Sequence, residues 1–156
     1  MSVVNETDRV CQQVRPAQGS RALWWAASGA WTALILFSST SIAAEYCERG
    51  FVSIYGSTLG KDFSSGQVYD WIHFLADKGL HITLFLVLGT LLWRVFSAAR
   101  WRRLSQVAVL GLLVGTSSEL LQILFPGRDP AIRDVMINLA GTLLGGTLCA
   151  LRARPE

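Results

Sequence analysis

Long uncharged runs alternate with short charged segments along this chain of 156 residues. Arg21 and Glu45 bracket ALWWAASGAWTALILFSSTSIAA, positions 22–44, without a formal charge. A helix of that length rises about 34 Å, enough to cross a hydrocarbon core of about 30 Å. A second run, 79–93, lies between Lys78 and Arg94, whose long side chains can snorkel and lengthen it. A third, 104–127, contains Glu119 as its one charge, and a fourth, 135–151, lies between Asp134 and Arg152. The pattern predicts an all-α fold, a polytopic membrane bundle of four transmembrane helices, with spans about 22–44, 78–96, 104–125 and 135–151.

The remaining segments are organised around those spans. Residues 1–21 read as a flexible cytoplasmic N-terminus, 22–151 as a single transmembrane domain and 152–156 as a cytoplasmic tail. Ser41-Ile42-Ala43 loosely fits a signal-peptide cleavage site, but the apolar run before it is longer than a signal peptide uses, so a retained span is expected. The first outer loop, 45–67, contains GSTLGKDFSSG, a Gly- and Ser-rich connection. From Val68 onward a helical period sets in. Val68, Trp71, Ile72, Leu75 and Ala76 share one face, and Asp70, His73, Asp77 and His81 the other. This predicts an extra interfacial helix in the first outer loop, or an outward extension of the second span.

Composition agrees with the membrane reading. Hydrophobic residues make up 51% and charged residues 16%, against about 25% charged in an ordinary soluble domain. So few charges do not cover a soluble surface of this size, which argues against a cytosolic enzyme, a disordered tail or a coiled coil.

Charge then sets the orientation. With four spans, nine basic residues fall on the side of the termini and the middle loop, and five on the other. The RWRR segment, Arg100 to Arg103, is the strongest contributor. The bias predicts a multi-pass protein of the bacterial cytoplasmic (inner) membrane with both termini cytoplasmic. The same bias accounts for the pI near 9.0 without a nucleic-acid partner. Trp24, Trp25, Trp93 and Trp101 fall near the inner interface, and Trp71 and Tyr69 near the outer one, as an aromatic belt. Cys11, Cys47 and Cys149 are too scattered in this topology to pair within one chain, and they form no C-x-x-C.

The informative residues are those a membrane excludes. Asp77 and His81 stand four apart around Lys78 at the outer end of the second span. Glu119 and Gln122 share a face of the third, with Gly115 and Gly111 one and two turns before Glu119. Asp134, Asn138, Gly141 and Gly145 form one stripe of the fourth, after the turn PGRDPAIRD. The topology places all these polar side chains in the outer leaflet or at its surface. An unpaired charge at mid-bilayer costs about 2.5–3.5 kcal/mol, so Glu119 and Asn138 are expected to face the bundle and to have partners. Lys78 and Arg128 are the available cations.

Plainer readings stand beside these. Asp134 suits a helix N-cap, and Gly141 with Gly145 makes a G-x-x-x-G helix-packing spacing. His81 suits a structural hydrogen-bonding group and His73 a solvated interfacial one. His73, Asp77 and His81 could form a row of metal ligands near Glu119, but Lys78 and Arg128 compete for those carboxylates, so neither metal nor cofactor is assigned.

Asp77-Lys78 with His81, then Glu119 with Gln122, then Pro126-Gly127-Arg128, then Asp134-x-x-x-Asn138-x-x-Gly141-x-x-x-Gly145, resembles the VanZ-like family of membrane proteins. The resemblance spans roughly residues 77–145, and it is the order and spacing of these pieces that carry it. The chain departs from the family at Ile82, where an aromatic often follows the histidine. The resemblance implies a small polytopic helical protein of the cell envelope. The founding member is associated with antibiotic resistance, to teicoplanin, a lipoglycopeptide acting at the outer face of the membrane. Asp77, Lys78, His81, Glu119, Gln122, Arg128, Asp134 and Asn138 carry over as the matching, candidate ligand-binding positions.

Two functional classes follow. In the first, these residues form an outer-leaflet polar pocket for a membrane lipid headgroup, a lipid-linked glycan precursor or a lipoglycopeptide-type antibiotic. In the second, the protein is a membrane enzyme of phosphatase or transferase class acting on a lipid-linked substrate. His81 would then be general base or nucleophile oriented by Asp77, with Glu119 as a further catalytic carboxylate. The sequence carries no G-x-S-x-G or H-E-x-x-H signature, so binding is the expected class and no catalytic residue is assigned. No internal repeat of the kind transporters use is present, and transport would require an oligomer.

Overall fold

The computed structural model describes residues 18–42, 45–46, 49–50, 53, 67–125 and 130–153. Within them lie four long helices: α1 (Gln18–Ser38), α2 (Gln67–Val95), α3 (Arg100–Gln122) and α4 (Ile132–Arg152). The all-α expectation holds among the described residues. The expectation of four membrane spans is corrected. Among the described residues, three helices are long and apolar enough to cross a membrane: Phe74–Val95 within α2, then α3 and α4. α1 has the length but not the apolarity. Gln18, Ser20, Ser28, Gly29 and Thr32 interrupt its apolar residues, and Arg21 sits in its first turn.

The first-loop helix resolves into one of its two forms. The periodic segment from Val68 runs without a break into the second span, so α2 is a single helix of 29 residues. Most of the loop before it lies outside the described residues. The RWRR segment, read as part of an inner loop, forms the first turn of α3 instead, and the α2–α3 connection shrinks to residues 96–99. Arg103 makes this tight turn possible. Its Nε donates to Trp93 O at 2.7 Å, its Nη2 donates to the same oxygen, and its guanidinium lies over the Trp93 ring. A cation thereby satisfies a carbonyl at the C-terminal end of α2, where the helix dipole favours positive charge. α3 ends at Gln122, three residues earlier than expected. Pro126 lies just beyond, and the chain leaves the helix through tight turns closed by Leu124 N–H to Leu121 O and Phe125 N–H to Gln122 O.

The helices form a closely registered bundle. α2 and α4 run parallel. Lys78 meets Asp134, His81 meets Asn138, Ile82 meets Gly141 and Leu86 meets Gly145. α3 runs antiparallel to α4, with Gly115 against Asn138, Gly111 against Thr142 and Val107 against Gly146. Each ladder advances about one turn per contact, which is what helices packed at a shallow angle do.

Glycine permits this approach. A Cβ on Gly141 would lie 2.8 Å from Ile82 O, and one on Gly145 would collide with Leu86 O. Lipid tails are as apolar as leucine, so close van der Waals packing rather than water exclusion holds such helices together. The packing reading of Gly141 and Gly145 is therefore the one the structure supports, and neighbouring backbone fills the room they leave.

α1 lies antiparallel along α2. Trp31 Nε1 donates to Leu84 O at 2.8 Å, Trp25 stacks edge-on against Phe96, and Arg94 lies over the Trp24 ring. Ile35, Phe85, Leu88, Leu92, Trp93, Val107 and Ala150 make the apolar core. Trp93, expected in the aromatic belt, is buried in that core, whereas Trp101 is exposed. Leu112, Leu113, Leu120, Ile132, Met136 and Leu151 also stay exposed on α3 and α4, an apolar surface suited to acyl chains.

Candidate functional site

The bundle has two unlike ends. At one, the N-termini of α1 and α3 meet the C-termini of α2 and α4, with Arg21, Arg94, Arg100, Arg102, Arg103 and Arg152 around them. At the other, the C-termini of α1 and α3 meet the first turns of α4 and the Asp77–His81 turn of α2. The parallel α2–α4 ladder is what brings the acidic, basic and amide side chains together at this second end.

Lys78 is the hub. Its Nζ donates to Asp77 Oδ2 at 2.7 Å and to Asp134 Oδ2 at 2.8 Å. The lysine and Asp134 side chains are largely buried, 14% and 9% exposed, where a pair of charges is screened little. The Asp134 carboxylate comes from the first turn of α4. It is not the N-cap: Ala131 is, and no side chain bonds back to cap it. Glu119 serves that end of α4 from across the bundle, its Oε2 accepting the Ala131 N–H at 3.2 Å. Oε1 of Glu119 accepts from Gln122 Nε2 at 3.3 Å. Two carboxylates thus face the N-terminus of α4, where the helix dipole favours negative charge.

His81 closes the cluster. Its Nδ1 and Asn138 Oδ1 are 3.0 Å apart, with Nδ1–H as donor, which turns Nε2 toward Asp77 Oδ1 at 3.8 Å. Asn138 has no exposed surface and is anchored on α4, where its own backbone oxygen accepts from the Thr142 hydroxyl at 2.9 Å. Of the four buried side-chain polar atoms without a hydrogen bond among the described residues, two belong to this cluster, Asp134 Oδ1 and Asn138 Nδ2; the others, Ser28 Oγ and Gln106 Oε1, lie elsewhere in the bundle. Arg133 Nε lies 3.7 Å from Asp134 Oδ1, on a side chain that is 64% exposed.

A match to the model of a known family covers residues 24–153 of this chain and is described as VanZ/LLP1. The chain belongs to the VanZ/LLP1 family. The match extends well beyond the stretch that carried the resemblance and takes in α1. No curated protein and no solved structure matches the chain.

Of the eight positions singled out in the sequence, seven are described, and the structure brings all seven to the same end of the bundle. Arg128 lies outside the described residues. Lys78 hydrogen-bonds two aspartates, while the hydrogen bonds to Glu119 come from a backbone N–H and an amide. The reason is register: Asp134 lies level with Lys78 on the neighbouring parallel helix, and Glu119 lies level with the first residue before α4.

Other members of this end escaped the sequence reading. Phe74 sits under two cations, with Lys78 Nζ 5.6 Å and Arg133 Cζ 5.4 Å from its ring centre. The four-residue spacing of Phe74 and Lys78 was the available signal. Ser39 and Ser118 hydrogen-bond at 3.0 Å and tie the end of α1 to α3 beside Glu119; two serines at run ends gave no signal. The groups facing the cluster contain no set of three or more described His, Cys, Asp or Glu side chains arranged to hold a metal ion.

Proposed function

We propose that this VanZ/LLP1 protein is a membrane binding protein whose polar end receives the headgroup of an amphiphile. The candidates are a membrane lipid, a lipid-linked cell-envelope precursor and a teicoplanin-type lipoglycopeptide. The observation that carries this reading is the pair of buried, unpartnered polar atoms, Asp134 Oδ1 and Asn138 Nδ2, beside the Asp77–Lys78–Asp134 ion cluster. Leaving a buried polar atom unmatched costs about 1–3 kcal/mol. A bundle that retains an acceptor and a donor of this kind in one cluster is arranged for an outside partner. We further propose that α1, packed along α2, lies in the membrane with the other three helices. The charge bias then puts the arginine-rich end in the cytoplasm and the polar end in the outer leaflet of the bacterial inner membrane.

The test is photocrosslinking of the purified protein in bilayers to short-chain lipid, lipid-linked precursor and lipoglycopeptide probes. Labelling at the polar end that is lost in E119A or D134A, with insertion unchanged, supports the reading. Equal labelling of the variants, or none with any probe, rules it out.

A catalytic reading has one observation in its favour: His81 is held at Nδ1 by Asn138 with Nε2 turned toward Asp77. That arrangement orients a ring for proton transfer. Release of phosphate from a lipid-linked phosphate by purified protein, abolished in H81A, would establish it; a panel without turnover would exclude it.

A further inference from the structure

The hydrogen-bond ledger of the polar end has a sign. Among the described residues three carboxylates, Asp77, Glu119 and Asp134, gather at this end, with the Lys78 ammonium between the two aspartates, Arg133 Nε 3.7 Å from Asp134 and His81 Nε2 3.8 Å from Asp77. Lys78 has three N–H bonds and already directs two at aspartates, so it has little left for a ligand phosphate. The surplus is of acceptors. Asp134 Oδ1 is buried with no hydrogen bond, and both oxygens of Glu119 are held only by long bonds from neutral donors, at 3.3 and 3.2 Å. A carboxylate accepts up to about four hydrogen bonds, so open positions remain on both groups. A buried carboxylate with open acceptor positions in a low-dielectric setting is matched best by a cation with N–H donors.

We propose that the polar end recognises a primary ammonium group lying next to an anionic oxygen, as in an ethanolamine phosphate. The ammonium seats against Asp134 Oδ1 and Glu119. The anionic oxygen accepts from Asn138 Nδ2, a buried donor without a hydrogen bond, and meets the exposed guanidinium of Arg133 at the rim. Phe74 holds that guanidinium in place from below. This deepens the binding reading above and rests on it. It reverses the charge logic of the sequence, in which Lys78 contacts a phosphate directly.

The experiment uses the unmodified protein in detergent micelles and native mass spectrometry. It offers equal amounts of four phospholipids with identical acyl chains: the ethanolamine form, its N-acetylated derivative, the choline form and the glycerol form. The ethanolamine form is expected to occupy the protein at least ten times more than the N-acetylated form, which has lost the charge. It should also exceed the choline form, which has the charge but no N–H. E119Q and D134N are expected to erase most of that preference. Binding of the N-acetylated or glycerol lipid as tightly as the ethanolamine lipid overturns the ammonium assignment while leaving the pocket in place. Absence of binding by all four, together with no crosslinking of the earlier probes, removes the pocket itself. Free ethanolamine that displaces the lipid at millimolar concentration identifies a soluble amine as sufficient. Failure to displace it identifies the lipid-borne amine, and either result keeps the ammonium as the recognised group.

Discussion

Lys78 and Asp134, 56 residues apart in the chain, form an ion pair of 2.8 Å between neighbouring parallel helices. This contact marks the register of α2 on α4 at the polar end, in step with the His81–Asn138, Ile82–Gly141 and Leu86–Gly145 contacts of the same ladder. Removing one partner of a buried pair leaves an uncompensated charge and costs about 3–5 kcal/mol. K78M is therefore expected to lower the unfolding temperature in detergent strongly. The double variant K78M with D134N should recover much of the loss, because the more deeply buried of the two carboxylates that Lys78 leaves behind is neutralised. A double-mutant cycle by thermal unfolding checks this; simple additivity would mean that the pair does not couple the helices.

The α2–α4 seam makes a sharper claim about glycine. G145A places a methyl group into Leu86 O and is expected to destabilise the bundle by about 1–3 kcal/mol. Gly29 on α1 has open space where its Cβ would go. G29A should be neutral or stabilising by up to about 1 kcal/mol through helix propensity. The two variants, compared by thermal unfolding in the same micelle, should shift in opposite directions.

At the arginine-rich end, R103K removes the paired donation to Trp93 O and the planar stacking on its ring, because lysine lacks the guanidinium fork. A loss of about 1–2 kcal/mol is expected, consistent with a cation at a partly buried helix C-terminus. Arg102, one position earlier, is exposed, and R102K should leave stability unchanged. Hydrogen exchange at residues 92–96 should rise in R103K and not in R102K.

The proposed orientation is open to direct labelling. In a variant whose native cysteines are replaced, a cysteine at Arg102 should react with a membrane-impermeant thiol reagent only after the cells are opened. One at Trp71, exposed at the start of α2, should react in intact cells. The reverse pattern would place the polar end in the cytoplasm and withdraw the outer-leaflet assignment.

Some of this was legible in the sequence because it is one-dimensional. Apolar runs of bilayer length, the clustering of arginine at alternate run ends and the stripes Asp77–His81, Glu119–Gln122 and Asp134–Asn138 are properties of spacing along single helices. They determined an all-helical membrane chain, the gathering of polar residues at one end and the family. The first helix is the exception, since freedom from charge along 22–44 is not the same as apolarity, and its serines, glycine and threonine interrupt the apolar run. Only the tertiary structure decided which groups meet. The choice of Asp134 rather than Glu119 for Lys78, the double contact of Phe74 and the filling of the glycine stripe by the backbone of α2 all depend on how two helices are offset. That offset is set by the fit of small residues across an interface, and the periodicity of either helix alone carries no record of it.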